Sequence, residues 1–92
     1  MVQDELYFKA LKEYFGLDFT GCESSNIFAY AFREVKANQG FLYIAYKNGY
    51  VYKYDDVPKQ IFANLETAES KGKYINKYIV KENYSFHKYL CS

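Results

Sequence analysis

FLYIAYKNGYVYKY, residues 41–54, holds two runs rich in aromatic and β-branched side chains on either side of Asn48-Gly49. Such side chains favour extended backbone, and an Asn-Gly pair tolerates the positive φ angles of a two-residue type I′ hairpin. The pattern predicts two antiparallel strands, the second presenting Tyr50, Tyr52 and Tyr54 on one face. Upstream, residues 26–35 alternate with period two. Phe28, Tyr30 and Phe32 are expected to point one way and Ile27, Ala29, Ala31 and Arg33 the other, which adds a strand. A turn over residues 37–40 joins it to the hairpin.

The helices flank this core. Between Asp4 and Phe15, the residues Leu6, Tyr7, Ala10, Leu11, Tyr14 and Phe15 recur at helical spacing, and Gly16 is placed to stop the helix. Residues 17–25 read as a polar connector. Asp55, Asp56, Val57 and Pro58 read as a helix start, because aspartate caps free amides and proline is tolerated in a first turn. Ile61, Phe62, Leu65 and Ala68 form its buried stripe. After a break at Ser70, Lys71 and Gly72, residues 73–82 predict a second short helix, and residues 83–92 show no clear period. The fold expected is α+β: an amino-terminal helix, a three-stranded antiparallel β-meander, and two carboxy-terminal helices packed on one face.

The chain has 92 residues, half of them hydrophobic, including 12 Tyr and 8 Phe, with a net charge of +1. That is one domain with a strongly aromatic interior, and a chain of this size has little room for a deep catalytic cleft. The near-neutral total excludes a global field that would drive the protein onto nucleic acid or membrane, but the charge is uneven. Residues 1–46 carry four basic side chains against six acids, and from Lys71 onward there are five Lys and one Glu. A basic end on a neutral protein suits a phosphate-bearing partner.

Cys22 and Cys91 are far apart, there is one histidine, and no CxxC occurs, so no structural zinc site can be assembled at finger-like spacing. No apolar stretch is long enough for a signal peptide or membrane span, which points to the reducing cytoplasm and two free thiols. The bias to Lys over Arg, with much Asn, Ile and Tyr, suggests AT-rich coding, as in a low-GC bacterium or its phage. No HExxH, GxSxG or Walker loop is present. A nucleophile pair of His87 with Cys91 would need an orienting group and an oxyanion hole that nothing announces, so no enzyme activity, metal or cofactor is expected.

In order along the chain stand Ser-Ser-Asn-Ile (24–27), a strand, a hairpin, Val-Tyr-Lys-Tyr (51–54), Val-Pro (57–58), a helix to Ala68, and Ser-Lys-Gly-Lys-Tyr-Ile-Asn-Lys-Tyr-Ile (70–79). This order resembles the KTSC domain over residues 24–84. That module is named for its place at the carboxy terminus of some lysyl-tRNA synthetases and is also found as stand-alone bacterial and phage proteins. The resemblance divides the chain into an amino-terminal helical extension, residues 1–23, and a KTSC-like domain, residues 24–92. Its synthetase context implies RNA binding. Where the family tends to place arginines, this chain has Val80 after Ile79 and the lysines Lys77, Lys81 and Lys88, so phosphate would meet point charges rather than bidentate forks.

The candidate site residues follow. Ser70, Gly72, Tyr74 and Asn76 sit where one helix yields to the next, beside Lys71, Lys73, Lys77 and Lys81, a setting for anion binding at a helix amino terminus. Tyr52, Tyr54 or Tyr74 would stack bases. The function expected is a small non-catalytic module binding RNA or a nucleotide. The alternatives are a protein-interaction module, such as a phage-encoded inhibitor of a host defence protein, and a protein that sequesters a small nucleotide signal.

Overall fold

A computed structural model describes residues 2–90 of the chain. Helix α1 spans Val2–Phe15, followed by β1 (Thr20–Gly21), β2 (Ile27–Lys36), β3 (Gln39–Tyr46), β4 (Tyr50–Pro58), α2 (Lys59–Thr67), α3 (Lys71–Tyr78), a 3-10 turn at Val80–Glu82, and β5 (Phe86–Leu90). The strands form one antiparallel sheet in sequence order. The α+β class, the leading helix and the pair of helices after the central strands match the sequence reading.

Alternation along the strands gives the sheet two faces, each covered by helix. One carries Tyr30, Leu42, Ile44, Tyr54 and Val57, buried with Leu65 of α2 and Ile75 of α3. The other carries Ala29, Ala31, Tyr43, Ala45 and Val51 beneath Leu11 of α1. Three alanines make this second face shallow, and the aromatic rings of Tyr7, Phe8, Phe15, Phe19 and Phe28 fill the space over it. Phe15, for instance, packs edge-on to Tyr43 at 5.1 Å. Gly16 ends α1 as expected, with φ +70° and its amide donating to the Lys12 carbonyl at 2.8 Å.

The sheet has five strands where the sequence predicts three. β1 is only two residues long, too short for any periodicity. β5 falls within residues 83–92, where the sequence has no clear period, yet it pairs with β4 from Tyr54–Phe86 through Tyr50–Leu90. Its side chains are mostly exposed, so no buried face imposes alternation on the sequence.

Local geometry departs from expectation at three further points. Ile27 pairs with Tyr46 and Ala29 with Ala45, so Phe28 is an extra residue in β2. This bulge turns Phe28 onto the α1 face, stacked on Tyr7 at 4.4 Å, and puts Ile27 on the side of Tyr30 and Phe32. The β3–β4 hairpin has a three-residue loop instead of a two-residue type I′ turn. Gly49 alone takes positive φ there, and its amide donates to the Tyr46 carbonyl at 3.0 Å. Finally, Asp55 and Asp56 do not cap a helix, because β4 runs on to Pro58 and α2 begins at Lys59 without a side-chain cap. Both aspartates lie opposite Phe41 in a second bulge, where Asp56 adopts φ +55°. Aspartate suits either setting, since its short polar side chain caps amides and also tolerates left-handed backbone.

Candidate functional site

Ser70 closes the amino terminus of α3. Its backbone is extended, and its hydroxyl accepts from the Lys73 amide at 3.3 Å. Ser24 does the same for the loop entering β2, accepting from the amides of Ile27 at 3.2 Å and Asn26 at 3.3 Å. These two turns face one another. A β-carbon placed on Gly72 would stand 3.2 Å from Ser24 Oγ, so glycine lets the helix end approach the loop.

Between them runs an open groove of about 610 Å³. Its polar walls include Ser25 and Asn26 on one side and Lys73 and Asn76 on the other, over Ile27, Tyr46 and Ile75. Among the described residues, Glu23 and Lys73 are the charged ones in its lining. Burial holds the Tyr46 phenol above its ordinary pKa, and the neighbouring Tyr52 adds to the effect. The groove therefore offers hydroxyl, amide and ammonium groups above an apolar floor, a set suited to holding a polar or anionic ligand.

Of the residues singled out in the sequence, Ser70, Gly72, Lys73 and Asn76 share this groove. The other six stand elsewhere. The Lys71 ammonium donates to the carbonyls of Glu66 and Ala68, both at 3.3 Å, closing the end of α2. The Tyr74 hydroxyl donates to the Ile61 carbonyl at 2.8 Å, and its ring lies 4.7 Å from Tyr78. Lys77 is exposed with its ammonium 5.1 Å over the Tyr78 ring, and Lys81 is exposed on the 3-10 turn. Tyr54 is buried at 5% exposure, whereas Tyr52 is half-buried.

The sequence reading missed the facing wall. Ser24, Ser25 and Asn26 were visible as a motif of small polar residues, but nothing local to them signals that α3 packs opposite. Tyr46 was read only as a strand residue. Cys22 lies beside this wall with its thiol 3.8 Å from the Ile27 carbonyl, and burial raises its pKa against the pull of Lys71 and Lys47. It stands next to β1 at one edge of the sheet, while His87 stands on β5 at the other, 3.8 Å from the Asp55 carboxylate. Cys91 lies outside the described residues. Among those described, no three His, Cys, Asp or Glu side chains gather as metal ligands, and no helix is long and apolar enough to cross a membrane.

The model of the KTSC domain family matches residues 23–84, a segment that contains both walls of the groove and leaves α1 and β5 outside. The crystal structure of a KTSC domain protein from Yersinia pestis is similar in fold, with a TM-score of 0.64 and 22% sequence identity over 77% of this chain and 94% of that one. No curated protein matches the chain.

Proposed function

This chain belongs to the KTSC domain family, and we propose that it is a small non-catalytic binding module that takes a phosphate-bearing ligand, RNA or a nucleotide, in the groove between the Ser24 loop and α3. The observation that carries this reading is convergence. Two segments distant in sequence, 24–27 and 70–76, bring their small polar residues to the same groove, with Lys73 on its wall at the positive end of a helix. A phosphate there would meet Lys73 and the amides or hydroxyls of Asn76, Asn26 and Ser25. The reading places the protein in the cytoplasm, where such ligands are present.

Native mass spectrometry of protein purified gently at low salt tests it. The expected result is a co-purifying nucleotide or RNA fragment that is lost from the Lys73→Ala, Asn76→Ala double variant. A bare protein, or one that carries only a protein partner, overturns the reading.

A further inference from the structure

We propose that Tyr52 and Phe86, with Tyr50 and Lys88 beside them, form a base-stacking platform that continues the groove, so that the natural ligand is a single-stranded polynucleotide rather than a lone nucleotide. The inference rests on the phosphate-binding reading of the groove and extends it across the sheet.

Pairing in register places Tyr54 opposite Phe86, Tyr52 opposite Lys88 and Tyr50 opposite Leu90, so these side chains share one face. Phe86 lies 5.3 Å from the Tyr52 ring and 5.6 Å from that of Tyr54, yet it is 51% exposed. A half-bare phenylalanine set on a tyrosine bed offers a flat apolar surface to another ring. The Lys88 ammonium lies over the Tyr50 ring, 4.3 Å from its centroid, and 5.7 Å from that of Tyr52, so Phe86 is the ring that offers its face to a base and a cation stands next to it.

The platform and groove are joined. Tyr46 lines the groove, its ring lies 5.4 Å from Tyr52, and Tyr52 in turn touches Phe86. An aromatic track thus leads from the Ser24 wall to the β5 edge, with the exposed Lys73 at its groove end and the exposed Lys88 at its β5 end. Rings interleaved with lysines are what an unpaired strand uses, because every base has a stacking face and every link carries a phosphate. Protein interfaces are depleted of lysine, and a duplex keeps its base faces covered, so neither fits as well.

The test is fluorescence anisotropy at low salt with labelled uridine decamer RNA and thymidine decamer DNA, with UMP as the groove probe by competition. Phe86→Ala is expected to weaken decamer binding about tenfold, Phe86→Tyr to restore it, and neither to change the affinity for UMP. Lys73→Glu should weaken decamer and UMP alike. The tighter of the two decamers identifies the natural strand. Should Phe86→Ala, shown folded by circular dichroism, bind the decamers as tightly as the parent, the platform is wrong and the groove stands. If the parent binds neither decamer nor UMP, both readings fall. A pre-annealed duplex bound as well as the single strands also overturns the platform.

Discussion

Gly72 and Ser24 are held so close that a β-carbon on the first would meet the hydroxyl of the second at 3.2 Å. Ser24 cannot turn aside freely, because its oxygen holds the amides of Asn26 and Ile27. Alanine at position 72 gains up to about 1 kcal/mol in helix propensity and loses a similar amount to this contact, so Gly72→Ala should leave stability nearly unchanged. Valine cannot be accommodated without moving the loop. Gly72→Val should cost about 1–3 kcal/mol in urea denaturation, with part regained on adding Ser24→Gly. Strict additivity in that cycle would mean that the two walls are not in contact.

Leu11 of α1 is fully buried, packed on Ala29, Ala31 and Ala45. Removing its side chain leaves a void between α1 and the sheet, among rings that are already packed against one another. Leu11→Ala should cost about 2–5 kcal/mol by denaturant titration, with the slope of the transition unchanged. This outcome would make residues 1–23 part of one cooperative core although the family match begins at residue 23. An unaltered midpoint would instead mark α1 as a detachable appendage.

Much of this architecture is legible in the sequence, for reasons the structure explains. The α1 stripe centres on Leu11, which is buried, while Leu6 and Tyr14 at its margins are exposed, and residues 41–46 and 50–54 are rich in β-formers because both faces of their strands are covered. What stayed hidden depends on partners. The Phe28 bulge is set by a mismatch with β3 that no residue in β2 announces. Phe86, His87, Lys88, Tyr89 and Leu90 become a strand only because β4 offers its edge, and their exposure frees them from alternation. The site divides in the same way. Ser70 and Gly72 are marked in the sequence as the break between two helices, and the structure puts them at the start of α3, Ser70 as its cap and Gly72 against Ser24. Ser24 and Phe86 gain their surroundings from elements remote in sequence, and the contacts of Lys71 are hidden because its acceptors are carbonyls, which look alike in every sequence.

Tyr54 gives the fold an alkaline limit. Burial pushes its phenol far above the ordinary value, and Tyr46 and Tyr52 add to the effect. Burial also raises Tyr30, Tyr46, Tyr74 and Tyr84. The raised pKa means that the folded state favours the neutral phenol. Below the unfolded value of about 10, folded and unfolded chains are both protonated and the contribution is complete. Above it, the unfolded chain releases protons that the folded chain retains, so stability falls as pH rises. Urea midpoints should be level from pH 7 to 9 and drop beyond about pH 10. Tyr54→Phe should flatten that drop, and an identical alkaline profile in this variant would remove Tyr54 as its main source.

Lys71 and Lys73 are neighbours in sequence, but the structure gives them different work. The Lys71 ammonium reaches back to the carbonyls of Glu66 and Ala68, groups left without helical partners where α2 ends, and its positive charge suits that negative pole. Lys73 is exposed on the groove wall. Lys71→Ala should therefore lower stability by about 0.3–1 kcal/mol and leave ligand affinity alone. Lys73→Ala should do the reverse, keeping the denaturation midpoint while weakening the uridine decamer. The salt dependence separates the two independently of affinity, because each phosphate contact to a single strand contributes about 0.7 to the slope of log K against log salt. That slope should fall by about this amount in Lys73→Ala and stay fixed in Lys71→Ala. The opposite assignment would move the anion site from the Ser24 groove to the depression that Lys71 lines with Cys22 and Glu69, and the ligand would then lie against the end of α2.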